Sequence, residues 1–308
     1  MAINWKGVMP AITTCFKEDL SIDHEFVARH CQWLVDSGCT GIVTPGSLGE
    51  GATMGFDEKL ELWRTCVTSV GDRVPVVAAI SALTTAEAVA LAKKAAEKGC
   101  LGLMVLPPYL YRGDWREMKA YVSTVLHATG LSCMLYNNPV AYGTDFLPEQ
   151  ILELAGEHEN LQAVKESSMD VRRVTAIRAL AGDRLAVFVG VDDAIVEAIG
   201  AGAVGWIAGL VNALPAESVA LFDYARKGEV ARAFELYRWF LPLLRMDTVP
   251  KFVQLIKLVQ QEVGMGNTRV RPPRLALAGT ELAQTLEVIR TTLDKRPVGA
   301  GLVPARAN

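Results

Sequence analysis

The run LQAVKESS (161–168) is apolar up to Val164, stops at the amine of Lys165 and then turns polar. An apolar strand that ends this way can deliver the amine to a partly dry pocket. Desolvation there favours the neutral form, which is a nucleophile toward carbonyl carbons. Bringing a lysine from about 10.4 to about 7 costs roughly 4 to 5 kcal/mol, which a chain sustains only where the amine is used. Most lysines at strand ends are solvated and inert, so the weight of Lys165 depends on what surrounds it.

Three other segments could surround it. In PGSLGEGAT (45–53), Gly46, Gly49 and Gly51 permit close backbone approach, and successive N–H groups could cup an anion. The Ser47 hydroxyl adds a donor and a proton relay. The plain alternative is a glycine-rich turn, and without the Gly-Lys-Ser/Thr of a phosphate loop the segment does not indicate a nucleotide. SCMLYNNP (132–139) puts Tyr136 at a strand top, on one face with Met134 and Ser132, ahead of a turn fixed by Pro139. A phenol beside a neutral amine suits proton shuttling during imine formation, against the simpler reading of a packed, hydrogen-bonded aromatic. LPPYLYR (106–112) offers Tyr109 and Tyr111 for the mouth of a site or an interface.

Two patterns are decoys. Gly200-Ala-Gly202-Ala-Val-Gly205 has dinucleotide-binding spacing but follows a helix and leads into a strand, the reverse of that motif. Asp192-Asp193 is explained better by a helix N-cap than by a metal.

The elements that must position these residues alternate along the chain. Strands are expected near 7–13, 41–44, 74–80, 102–106, 132–136, 161–165, 185–189 and 203–207, with helices between them at 57–70, 84–99, 114–129, 170–181 and 192–200. Asp23 and Asp57 suit helix starts, and Thr84 with Glu87 suits a capping box. Gly38, Gly71, Gly99, Gly130 and Gly182 fall where left-handed caps need glycine. Strand–helix units repeating about every 30 residues predict an α/β fold, a closed (β/α)8 TIM barrel, with a doubly wound open sheet as the alternative. Helical patterns at 215–228, 229–245, 249–263 and 280–294 complete the barrel and append a helical region, broken at Arg271-Pro-Pro-Arg274. The expected division is a catalytic barrel over 1–228 and a C-terminal helical region over 229–308, ending in a poorly ordered tail, RPVGAGLVPARAN. In such a barrel chemistry sits at the C-terminal strand ends, where Ser47, Tyr109, Tyr136 and Lys165 all fall.

Composition excludes other classes. A net charge of −3 over 308 residues, with no basic stripe, argues against nucleic acid as a partner. No apolar run approaches the ~20 residues that span a membrane, and the N-terminal stretch lacks a secretory core, so a cytoplasmic protein is expected. Six dispersed cysteines read as reduced, buried thiols, and the four histidines lack ligand spacing, so neither a disulfide frame nor a metal site is expected.

GSLGE (46–50), YNNP (136–139) and VKESS (164–168), in this order and spacing, resemble the dihydrodipicolinate synthase / N-acetylneuraminate lyase family of class I aldolases. The resemblance runs from about residue 5 to 295 and implies a (β/α)8 barrel with a C-terminal helical extension, in a homotetramer built as a dimer of dimers. It implies a small 2-keto or imino acid as substrate and no cofactor. Lys165 matches the Schiff-base lysine, and Tyr136 the proton-shuttling tyrosine. Ser47 matches the hydroxyl that links Tyr136 to a second tyrosine, best matched by Tyr109 and often lent across a dimer interface. Gly46 lies in the same turn, and the N–H groups of Ser47 and Leu48 match the substrate-carboxylate clamp. Gly190 and Ile207 match lining positions near the lysine. The synthase branch follows YNxP with an arginine for its second substrate's carboxylate, where this chain has Ala141. Asn138, Tyr142 and Leu48 also differ from the sialic acid lyases. YNNPxAYG with KESSMDVRR looks most like the branch that deaminates 1-pyrroline-4-hydroxy-2-carboxylate. A 2-keto-acid aldolase, dehydratase or synthase is the alternative within the scaffold. A non-catalytic binding protein is the alternative outside it, and the intact Lys165, Tyr136 and Ser47 speak against it.

Overall fold

Eight short strands alternate with helices over residues 3–297, which the computed structural model describes. The strands are β1 (Gly7–Pro10), β2 (Ile42–Thr44), β3 (Val76–Ile80), β4 (Gly102–Val105), β5 (Ser132–Asn137), β6 (Leu161–Glu166), β7 (Ala186–Val189) and β8 (Gly205–Ala208). The helices are α1 (His24–Asp36), α2 (Phe56–Val70), α3 (Thr85–Glu97), α4 (Trp115–His127), α5 (Pro139–Tyr142), α6 (Pro148–Glu157), α7 (Arg172–Ala181), α8 (Ile195–Gly200), α9 (Pro215–Arg226), α10 (Val230–Leu244), α11 (Phe252–Glu262) and α12 (Gly279–Asp294). All strand pairs are parallel, in the order β1-β8-β7-β6-β5-β4-β3-β2. An Ala11–Val43 bridge brings the β1 and β2 edges together and all but closes the ring. This is the (β/α)8 barrel that the strand–helix repeat predicts.

Strand alternation divides the core in two. Met9, Val43, Val77, Ala79, Met104, Met134, Ala163, Phe188 and Ile207 fill the barrel interior, while their neighbours along each strand pack under the helices. Trp5 donates from Nε1 to Ser132 Oγ at 2.7 Å and sets its ring edge-on to Phe188. A side chain at Gly205 would meet the Phe188 ring at 2.2 Å. That packing accounts for the last glycine of the dinucleotide-like run, which leads from α8 into β8 as expected.

Several local expectations need correction. Asp23 caps α1 by accepting from Phe26 N–H, but α2 starts after Gly55 and places Asp57 in its first turn, where a carboxylate favours the helix dipole. Thr84 accepts from Glu87 N–H at 3.2 Å. Gly38, Gly99 and Gly182 take positive φ, whereas Gly71 sits at φ −66° and Gly130 is likewise not left-handed. Asp192 does not cap its own helix. Fully buried, it accepts from Gly209 and Leu210 N–H at 3.1 and 2.7 Å and from Trp206 Nε1 at 3.1 Å, holding the chain where it leaves β8. All six cysteines are free and buried. The tail from Val298 onward lies outside the described residues, and among those residues no helix is long and apolar enough to cross a membrane.

The helices after the barrel brace its upper end. Lys257 of α11 reaches Glu50, in the turn after β2, at 2.6 Å, and also donates to Arg269 O at 2.6 Å. Both side chains are almost fully buried, so removing one strands a charge. Lys257→Ala is expected to lower unfolding free energy by about 3–5 kcal/mol, measured by denaturant titration; a loss under about 1 kcal/mol, the scale of a surface pair, would contradict a structural role.

Candidate active site

Lys165 rises from the interior face of β6, two residues beyond Ala163, and is 6% exposed. Its register partner on β5 is Tyr136. The amine lies over the phenol ring, Nζ 4.1 Å from the centroid. Lys165 and Tyr136 therefore stand together at neighbouring strand ends because both follow the inward phase of their strands.

A cavity of about 450 Å³ opens above them. Its lining includes Gly46, Ser47, Leu48, Tyr109, Tyr136, Asn138, Lys165, Gly190 and Ile207, all nominated from the sequence. Tyr111 does not join them; it is more than half exposed and donates to Glu117 at 2.9 Å.

The polar wiring departs from expectation at one point. Ser47 Oγ hydrogen-bonds the hydroxyl of Tyr142, which sequence reading treated only as lining. The Tyr142 ring stands edge-on between those of Tyr136 and Tyr109, 5.7 Å from each centroid. Tyr142 is delivered by α5, a single turn begun by Pro139 and ended by Gly143 at φ 70°. Burial pushes the Tyr142 phenol up, and the nearby Tyr136 and Tyr109 add to the rise. Burial also raises Tyr109, and the Tyr142 and Ser47 hydroxyls partly offset it. At neutral pH both phenols thus carry their protons rather than standing as phenolates. Tyr109 lines the cavity of its own chain.

Asn138 fixes the direction of the Tyr136 hydroxyl. Its Oδ1 accepts from Ala141 N–H at 3.0 Å, which leaves Nδ2 to donate to the Tyr136 oxygen at 3.0 Å. The phenol's own proton is then free to be given to a molecule in the cavity. Across from it, among the described residues, the N–H groups of Ser47 and Leu48 donate to no protein acceptor, as an anion clamp requires. Glu50 holds this turn at φ 58°, secured by the Lys257 contact.

Gly190, after β7, makes room for the amine. A Cβ there would stand 2.1 Å from both Lys165 Cε and Ser167 Oγ. Gly190→Ala is expected to push Lys165 aside and slow adduct formation by ~10- to 100-fold, read from the rate of borohydride-trapped pyruvate. An unchanged rate would mean that the lysine does not need this space.

Sequence reading missed Ser167, Met169, Asp247, Thr248, Val249, Phe252 and Arg274 in the lining. Ser167 and Met169 sit in the polar run just past Lys165. The others arrive from the appended helical region, which the strand-end rule does not search. Among the described lining residues, Lys165 and Arg274 supply the cations and Asp247 the carboxyl group.

The arrangement is a buried amine, a hydrogen-bonded phenol and two backbone N–H groups without a protein acceptor, all lining one cavity. The family model for the dihydrodipicolinate synthetase family matches residues 4–292. The chain belongs to the dihydrodipicolinate synthetase family. A 4-hydroxy-tetrahydrodipicolinate synthase of Caldicellulosiruptor saccharolyticus is 31% identical over 290 residues, 94% of this chain and 96% of that protein. One from Natronomonas pharaonis is 37% identical over 231 residues, 75% of this chain and 78% of that one. Among solved structures, dihydrodipicolinate synthase from Bacillus anthracis superposes with a TM-score of 0.89 at 28% identity, covering 94% of this chain and 99% of that one. A prophage protein of the family from E. coli K12, solved in complex with pyruvate, gives 0.88 at 26% identity, covering 94% and 98%. Dihydrodipicolinate synthetase family members are class I aldolase-type lyases that act on small molecules, and this chain is a Schiff-base lyase of that kind.

Proposed function

We propose that the chain opens and deaminates 1-pyrroline-4-hydroxy-2-carboxylate to 2,5-dioxopentanoate and ammonia, with Lys165 as the Schiff-base nucleophile. The observation that carries this reading is Ala141. It lines the cavity, as do Val140, Val249 and Phe252, and it is an apolar residue at the position where the synthase branch carries an arginine for its second substrate's carboxylate; the guanidinium in this lining, Arg274, comes from the appended helical region. A substrate with one carboxylate, held by the Ser47 and Leu48 N–H groups, needs no cation at position 141.

The proposed steps use these residues in turn. With the carboxylate on the 46–49 turn, C2 lies beside the Lys165 amine. Attack on C2 of the cyclic imine is a transimination that opens the ring and frees the C5 amine. The iminium draws electrons from C3, so a C3 proton leaves and an enamine forms. Departure of the C4 hydroxyl as water gives a C3–C4 double bond. Tautomerisation places an imine at C5, where one water releases ammonia; a second water at C2 frees Lys165. Tyr136 gives and takes protons at the carbon–nitrogen steps, and the Ser47–Tyr142–Tyr109 group relays them. The iminium serves as the electron sink throughout. The family's homotetramer, a dimer of dimers, is the assembly we expect.

The relatives' names favour a second reading, condensation as a 4-hydroxy-tetrahydrodipicolinate synthase. Supplying purified protein with the hydroxypyrroline carboxylate and assaying ammonia separates the two. Ammonia released in step with substrate loss is expected. No ammonia, with condensation of pyruvate and aspartate semialdehyde instead, would overturn the deaminase.

A further inference from the structure

Asp247 enters the cavity from outside the barrel, at the end of the one-turn helix Arg245–Asp247 that follows α10. A Cβ built on Gly209 would stand 2.0 Å from its Oδ1, so the carboxyl occupies the space above the end of β8 that a side chain at 209 would fill. Lys165 fills the matching space over Gly190, above β7. The carboxyl and the amine thus crown neighbouring strand ends. Among the described residues no donor is hydrogen-bonded to Asp247, although Asp192 nearby is held by three donors. Gly209 N–H, on the residue beneath the Asp247 carboxyl, is given to Asp192 instead.

The charges around Asp247 come from three elements. Asp192 and Asp193 face it from the segment after β7, Lys165 from β6, and Arg245 lies on its own helix, 3.7 Å from Asp193. Burial and then the Asp192 carboxylate push the Asp247 carboxyl well up, against the opposing pull of Lys165, and Asp193 reinforces the rise. A carboxyl raised in this way is suited to giving up a proton.

Substrate direction places that acid. In the ring order, β2 and β6 stand on opposite sides. A molecule whose carboxylate rests on the turn after β2 and whose C2 meets Lys165 on β6 shares its cavity with Asp247, which stands over the end of β8 on the same rim. We infer that Asp247 is the catalytic acid that protonates the C4 substituent as it leaves. This rests on the Schiff-base reading above and assigns the step at C4, which the roles given to Tyr136 leave open. The C2=C3 pair of the enamine forms the C3–C4 double bond as the C4–O bond breaks. The Asp247 O–H proton goes to the departing oxygen, giving water and a carboxylate, and C2 becomes an iminium again. Solvent reprotonates the carboxylate before the next cycle. Aldol cleavage at the same carbon would instead need a base to take the C4 hydroxyl proton, which a neutral carboxyl cannot do. An Asp247 that acts as an acid therefore favours elimination over cleavage.

The test compares wild type, Asp247→Asn and Asp247→Glu on the hydroxypyrroline carboxylate and on 4-hydroxy-2-oxopentanoate, reading water elimination, pyruvate release and the borohydride-trapped adduct at Lys165. Asp247→Asn is expected to trap both compounds as the wild type does yet eliminate about 10²-fold or more slowly, with Asp247→Glu recovering part of the loss. Elimination within about threefold of wild type in the asparagine variant, well short of an acid–base effect, overturns the inference. So does an equal loss of trapping and elimination, which marks a role in shaping the cavity. Wild type that eliminates water from the open-chain acid but frees no ammonia from the cyclic imine sinks the deaminase alone; Asp247 is then judged on the open-chain ratio. Wild type that only cleaves to pyruvate sinks the inference, since nothing then leaves C4 for the acid to protonate.

Discussion

Lys165→Ala is expected to reduce turnover to background, a loss of about 10⁴-fold or more for a covalent nucleophile, with the fold unchanged. The expectation follows from position. Among the described residues lining the cavity, Lys165 carries the only amine; the other cation is the Arg274 guanidinium, which does not form imines. No neighbour can take over the covalent step. The substitution also leaves the barrel intact, because β6 is paired along its length to β5 and β7 and its inward packing is carried by Ala163. Far-UV circular dichroism should overlay with wild type while product formation disappears. Retained turnover in a folded alanine variant would mean that the reaction does not pass through an iminium on this residue.

The second large effect is expected at Tyr136. Phenylalanine there keeps the ring beneath the lysine, with Nζ 4.1 Å from its centroid, and so preserves the cation–π contact and most of the packing. What it removes is the hydroxyl that Asn138 orients at 3.0 Å. Tyr136→Phe should slow iminium formation by about 10² to 10⁴-fold, the scale of a positioned acid–base group, with adduct still accumulating over long incubation. Stopped-time trapping with pyruvate measures this directly. A rate near that of wild type would remove the phenol from the mechanism and leave Ser47 and Tyr142 to move protons without it.

Lys165 and Tyr136 were legible in the sequence because two simple rules act on them together. Strand alternation gives each its inward phase, and a parallel barrel places the C-terminal ends of all strands at one rim. Consecutive strands that pair then make them neighbours, as the Tyr136–Lys165 register has it. The Ser47–Tyr142 bond was not legible. It depends on the direction in which α5 turns, and a four-residue helix set between Asn138 and Gly143 has no periodicity to read. Asp192 was misassigned for a related reason. Its partners, Trp206, Gly209 and Leu210, lie 14 to 18 residues away on the next strand end, whereas a capping rule looks only three residues ahead. Asp247 and Arg274 were invisible because they reach the cavity from a helical region packed on the barrel by non-local contacts such as Lys257 to Glu50, 207 residues apart. No local pattern marks a residue that is brought to a site by another element's packing.

The central claim is that Lys165 forms a covalent imine with the carbon next to a carboxylate. Incubating the protein with pyruvate, reducing with borohydride and locating the modification by peptide mass spectrometry tests it most directly. A stable pyruvate-derived mass on the peptide carrying Lys165, absent from Lys165→Ala, is the expected result. An unmodified Lys165 in folded protein, or the same mass on another lysine, would contradict it.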